Sequence, residues 1–170
     1  MQLPNTLGAL VVAVNDDLAT AFAERPGIGH TSAAALASLS VRGPMNIEWL
    51  RRILGITHSA CVRLVDRLEE GRLVYRRPAA DRRAVELELT AGGQQAAREL
   101  LQSRTDVIAA ALAPLSPTEH AELERLVAKV LGAITVNRTN ARHICRLCDH
   151  ALCEREGACP VDAAATELER

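Results

Sequence analysis

Only three residues, Gly55-Ile56-Thr57, separate two stretches that both read as short helices. The first runs from Asn46 to Leu54, and the second runs from the Thr57 cap to about Glu70. Glycine suits the left-handed residue that ends one helix and turns into the next, and threonine is a good N-cap. Two short helices joined this tightly form a helix-turn-helix unit. In the second helix Cys61, Leu64, Val65 and Leu68 fall on one apolar face. His58, Ser59, Val62, Arg63 and Arg67 fall mainly on the outer surface.

The helix-turn-helix leads into a ribbon. Gly71 ends the second helix, Leu73 to Arg77 reads as a strand, and Pro78-Ala79-Ala80-Asp81 is turn chemistry. Ala84 to Leu89 alternates, so Val85, Leu87 and Leu89 share a face. A two-stranded ribbon directly after a helix-turn-helix is a wing.

The flanks are helical. Leu7, Leu10, Val11, Val14, Leu18, Ala21 and Phe22 recur at helical spacing, and Arg25-Pro26-Gly27-Ile28-Gly29 stops that helix. Thr31 or Ser32 is expected to cap an Ala-rich helix ending near Arg42-Gly43-Pro44. Thr90 caps a long helix that Pro114 breaks, and Ser116-Pro117-Thr118-Glu119 is a capping box opening the next. Leu123, Leu126, Val127, Val130, Leu131 and Ile134 give that last helix its apolar face. The expected fold class is therefore mainly α: a winged helix-turn-helix with long N- and C-terminal dimerisation helices. The divisions are 1–28 (N-terminal dimerisation helix), 29–90 (winged helix-turn-helix), 91–142 (C-terminal dimerisation helices) and 143–170 (a cysteine-rich tail).

Aromatic residues are 2% of the chain, namely Phe22, Trp49 and Tyr75. That disfavours RNA-recognition sheets and OB barrels, which need ring platforms, and β-sandwiches. Taken as a whole, the net charge of -1 disfavours nucleic acid as well. Its distribution reverses that reading. Residues 51–83 carry nine arginines against four acidic residues, a net of +5, between flanks of -2 and -4. Phosphate contact is short-ranged and screened beyond roughly 8 Å in physiological salt, so local density decides. No membrane span or secretory leader is expected, which points to the cytoplasm. The five cysteines are then reduced thiols or metal ligands. No Ser/His/Asp arrangement, phosphate-cradling glycine loop or H-E-x-x-H marks an enzyme.

The run from Ala33 to Thr90 resembles the winged helix-turn-helix of the MarR family of bacterial regulators. Ser59 to Glu69 resembles that family's recognition helix, Gly71-Arg72-Leu73-Val74 its strand entry, and Asp81-Arg82-Arg83 its wing motif. Leu89-Thr90-Ala91-Gly92-Gly93 resembles its exit into the long helix, and the likeness spans roughly residues 5 to 137. The resemblance implies a homodimer acting on double-stranded DNA at a pseudo-palindromic operator, usually as a repressor, with half-sites roughly 34–36 Å apart. Ser59, Val62, Arg63 and Arg67 are the candidates for groove contacts. Arg76, Arg77, Arg82 and Arg83 are the candidates for backbone and minor-groove contact, with Asp81 orienting a wing arginine. A small-molecule effector between the dimer helices and the wing domain is compatible with the same reading. Trp49 is expected to pack within the helix-turn-helix, Cys61 to be a buried thiol, and His30 and His120 to lie at the surface.

Beyond the resemblance lies a second motif. Cys145, Cys148, Cys153 and Cys159 follow C-x2-C-x4-C-x5-C-P. Four thiols this close suit tetrahedral zinc or an iron–sulfur cluster. The first two gaps are similar to those of a zinc knuckle. The opening pair and the C-x5-C-P ending look like the [2Fe–2S] loop of the SoxR redox regulators, whose middle gap is shorter. His143 and His150 are alternative ligands. The motif adjoins the expected dimerisation helix, so gain, loss or oxidation of a centre there could alter operator affinity. Two other readings are a winged-helix regulator controlled by a small molecule with a purely structural zinc, and a metal or redox protein that binds no DNA.

Overall fold

The computed structural model describes residues 2–79, 85–156 and 159–170. Its element order is α1 (Leu3–Ala23), α2 (His30–Arg42), β1 (Met45–Asn46), α3 (Ile47–Leu54), α4 (His58–Glu70), β2 (Val74–Pro78), β3 (Val85–Leu89), α5 (Ala91–Leu112), α6 (Pro117–Ile134), α7 (Arg138–Ile144), α8 (His150–Glu156) and α9 (Pro160–Glu167).

Local chemistry sets most of these boundaries. The side chains of Asn46, Thr57, Thr90, Ser116 and Asn137 each accept from a backbone N–H in the first turn of α3, α4, α5, α6 and α7. At Ser116 the capping box is complete, with Glu119 returning a bond to the cap. The expectation for α2 fails. It starts at His30 behind an extended Gly29, with no side-chain cap, so Thr31 and Ser32 lie inside its first turn. The reason is tertiary. His30 is half-buried rather than at the surface, its ring meeting Phe22 edge-on with centroids 5.2 Å apart.

The wing is part of a three-stranded antiparallel sheet in the order β1-β3-β2. The third strand, two residues long, pairs Met45 with Leu87 and Asn46 with Glu86. In β3 Leu87 and Leu89 point into the core, whereas Val85 at the tip remains 54% exposed.

The core sits between α2, α3, α4 and the foot of α5. α2 buries every residue from Ser32 to Leu39, and its alanines let α5 approach through Ala96 and Ala97. Phe22, Leu36, Leu50, Leu64 and Leu87 are among the large fully buried side chains. Truncating such a leucine to alanine typically costs about 2–5 kcal/mol. A smaller cluster, Ala141, Val161 and Ala165 with Leu131 and Ile144, ties α7 and α9 back to α6.

α1 differs from its expectation in one respect. By length and composition alone Leu3–Ala23 is long and apolar enough to cross a membrane, even with Asp16 and Asp17 in it. In this fold it packs on α5 through its C-terminal end, where Phe22 is buried. Leu7, Leu10 and Val11 stay more than half exposed, as do Val130 and Ile134 on α6.

Candidate nucleic-acid interface and cysteine-rich tail

The helix-turn-helix is closed at both ends of its turn. Gly55 takes the left-handed conformation, φ 69°, and its N–H and that of Ile56 donate to Arg51 O at 2.9 and 3.2 Å. Thr57 then accepts from Ala60 N–H at 3.3 Å and opens α4. Cys61, Leu64, Val65 and Leu68 face the core as expected. The Cys61 thiol is fully buried and donates weakly to Ile47 O at 3.8 Å. Burial pushes it up to about 11, so it is an inert packing group.

The opposite face of α4 is open. Ser59, Arg63 and Arg67 are exposed and Val62 is half-buried. Neither arginine makes an ion pair among the described residues. Two long cations on a rigid, doubly capped helix can meet phosphates or base edges without first breaking an internal contact.

The wing arginines are placed differently. Arg76 donates to Asp66 at 2.7 Å and also contacts Glu69, both on α4. Asp66, then Glu69, hold its guanidinium charged above the ordinary range. Arg77 bridges Glu86 at 3.1 Å and Glu88 at 3.0 Å on β3. Both are thus engaged by their own chain, and contact with a phosphate requires exchange of these carboxylates. Exposed pairs contribute only about 0–1 kcal/mol each, so the exchange is cheap. Asp81, Arg82 and Arg83 lie outside the described residues.

Trp49 departs from its expectation. It is 40% exposed on α3, with the Arg142 guanidinium of α7 lying over its ring at 4.6 Å. Three further contacts seat α7 and the turn after it. His143 Nδ1 meets Ile53 O at 2.8 Å, Ser38 Oγ donates to Arg146 O at 3.4 Å, and Leu147 packs against the main core. His143 thus faces α3 and does not line the cavity that holds Cys145 and Cys159. Nothing in the sequence joins Trp49 to Arg142, which lie 93 positions apart, so this docking was missed.

The tail brings its thiols into a chain of contacts. Cys145 hydrogen-bonds with Cys148 and with Cys159, and Cys153 hydrogen-bonds with Cys159. The Cys145 hydrogen bond draws the Cys148 thiol down to about 6, aided by Arg104 and Arg146, and Cys145 is pushed up in return. His150 lines the cavity that holds Cys145 and Cys159. Among the described residues no group of three or more His, Cys, Asp or Glu is arranged to hold a metal ion. The sulfurs are neighbours, not yet a four-ligand site.

Residues 27–84 match the model described as the MarR family. The chain is 29% identical over 111 residues to the HTH-type transcriptional repressor MdtR of Bacillus subtilis, covering 65% of this chain and 72% of that one. RV1404 from Mycobacterium tuberculosis is similar in structure with TM-score 0.67 and 29% identity, over 79% of this chain and 92% of that one. A mutant MarR from E. coli gives TM-score 0.67 and 25% identity, over 77% and 97%. Residues 27–84 are thus similar to the MarR family, and the chain shares the winged-helix fold of these solved structures.

Proposed function

We propose that this chain is a homodimeric, sequence-specific DNA-binding transcriptional regulator, most simply a cytoplasmic repressor. The observation that carries the reading is the open outer face of α4, where Arg63 and Arg67 stand without an ion pair among the described residues, on a helix capped at the turn. Ser59, Val62, Arg63 and Arg67 meet the major groove; Arg76, Arg77, Arg82 and Arg83 meet phosphates and the minor groove, with Asp81 orienting the wing. The exposed apolar residues of α1 and α6 support a dimer, because a lone chain leaves both stripes in water. The four-part division drawn from the sequence goes with this role. The test is a gel-shift titration on the DNA upstream of its own gene, at several salt concentrations. Arg63→Ala is expected to lose about 1–3 kcal/mol and relax preference at one base pair per half-site. Arg67→Ala is expected to weaken all sequences alike and flatten the salt slope. Binding that ignores salt and both substitutions refutes the reading.

A second reading concerns control. Cys145, Cys148, Cys153 and Cys159 are the donor set for a [2Fe–2S] cluster or zinc, and ligation closes their chain of contacts into a tetrahedral or bridged site. What favours control over mere bracing is that α7, whose C-cap is Cys145, is docked on α3. Anaerobic purification with a visible spectrum and metal analysis tests it. Charge-transfer bands with iron and sulfide indicate a cluster, one zinc per chain indicates zinc, and neither metal refutes the site. If replacing all four cysteines by serine leaves operator affinity and its response to oxidants unchanged, control through the tail is wrong.

A further inference from the structure

Arginines converge on the thiols of the tail from four parts of the chain. A cavity of about 290 Å³ is lined by Arg42 of α2, Arg138 and Arg142 of α7, Asp162, and the thiol-bearing Cys145 and Cys159. Around Cys148 the cations are Arg104 of α5 and Arg146 of the turn after α7. Three carboxylates stand among these five arginines: Asp149 near Cys148, Asp162 in the cavity, and Glu169. Five against three leaves an excess of two positive charges. Arg138 holds both Asp162 and Glu169, and Arg146 donates to His143 O at 2.6 Å. Arg42 and Arg142 have no hydrogen bond or ion pair among the described residues. Arg142 rests on the Trp49 ring, and Asp162 acts on Arg42 without pairing with it. Partial burial and then the Arg142 charge lower the Arg42 guanidinium, whereas negative charge on Cys145, then on Asp162, opposes that.

Four thiolates around a doubly charged zinc ion, or around an oxidised [2Fe–2S] core, form a dianion. We propose that Arg42 and Arg142 are the positioning cations of that dianion, balancing the thiolate centre from α2 and α7 and raising its affinity for metal. The proposal rests on the reading of Cys145, Cys148, Cys153 and Cys159 as a metal site. Without metal the two guanidiniums repel each other across the cavity. With metal they gain a counter-charge that Asp162, already paired with Arg138, does not supply. Outer partners of this kind orient the ligands and tune the ion they hold. Arg42 ends α2 and Arg142 lies on Trp49 of α3, so the charge of the centre acts on α2 directly and on α3 through the stacked ring.

Zinc is the probe, titrated into the reduced full chain under anaerobic conditions in competition with a chromophoric chelator. The native chain is expected to bind one zinc, and the variant with all four tail cysteines changed to serine none. Arg42→Gln is expected to lose roughly tenfold or more in zinc affinity, the usual loss for an outer partner of a metal site. Arg42→Glu should lose more. Arg42→Lys should recover most of the loss, because it restores the charge at the exposed end of α2. Arg142→Gln should match Arg42→Gln, and the Arg42 series keeps the test valid if Arg142→Gln undocks α7. Equal zinc affinity in the native chain, Arg42→Gln and Arg42→Glu overturns the proposal and leaves the thiol site standing. Equal losses in Arg42→Gln and Arg42→Lys overturn it as well, since shape and not charge would then set the affinity. No zinc in the native chain, or zinc bound equally by the four-serine variant, refutes the thiol site itself and the proposal with it.

Discussion

Gly55→Ala tests whether the tail sits on the helix-turn-helix turn. The geometry imposes two separate penalties. The residue has φ 69°, a conformation costing an L side chain about 1–2 kcal/mol. An added Cβ would also lie 2.8 Å from His143 Cε1 and 3.2 Å from its Nδ1, so the ring must move. That ring is held by its contact with Ile53 O, and losing such a bond costs about 0.5–1.5 kcal/mol. The single substitution is expected to cost about 2–3 kcal/mol in urea unfolding. In a His143→Ala background only the backbone part remains, about 1–2 kcal/mol. The difference, about 1 kcal/mol of coupling, is the quantity to measure in a four-protein cycle. Gly55→Asn provides a control, because asparagine tolerates the left-handed region better than alanine. An identical Gly55→Ala penalty in both backgrounds would show that His143 does not rest on the turn, and the docking of α7 on α3 would be refuted with it.

Gly93→Ala should be still more damaging, because its Cβ would lie 1.9 Å from Leu73 O, a backbone atom that cannot swing aside; loss of the cooperative thermal transition or a large fall in its midpoint checks it. Cys61 gives a pH prediction. Its thiol rises from 9.0 to about 11 on folding, so the buried neutral form contributes stability fully below about pH 9, and this is lost as pH climbs toward 11. The native chain should therefore lose up to about 1.4 kcal/mol per pH unit in that window relative to Cys61→Ala, read from parallel denaturation curves. Arg138→Ala should free the end of the chain, since one guanidinium holds Asp162, Thr166 and Glu169; faster protease cleavage after α7, with little change in the main transition, is the expected result.

Much of the winged helix-turn-helix is written in local chemistry. Asn46, Gly55, Thr57, Thr90 and the Ser116 box act on neighbours within four residues, so the bare order of residues already places the helices they cap. The features that escaped are long-range. Two residues, Met45 and Asn46, carry no strand periodicity and become a strand only because Leu87 and Glu86 come alongside. Gly29 starts α2 because Phe22 receives His30, a tertiary contact that outweighs the better caps at Thr31 and Ser32. The open arginines of α4 were visible from helical spacing, whereas the pairing of Arg76 with Asp66 needed the fold of the wing over the helix. In the tail the cysteine spacing announced thiol chemistry. It did not announce α7, α8 and α9, nor that Arg142 and His143 would face α3.

The short strand β1 has a mechanical consequence. Asn46 both pairs with Glu86 on β3 and caps α3 through Trp49 N–H, so a single residue belongs to the ribbon and to the helix-turn-helix. At the other end Arg76 pins β2 to α4. Ribbon and helices are thus joined at two points, one a backbone strand pairing and the other an exposed ion pair. Asn46 couples α3 to β3 through backbone pairing, whereas the β2 end is held to α4 by a side-chain ion pair.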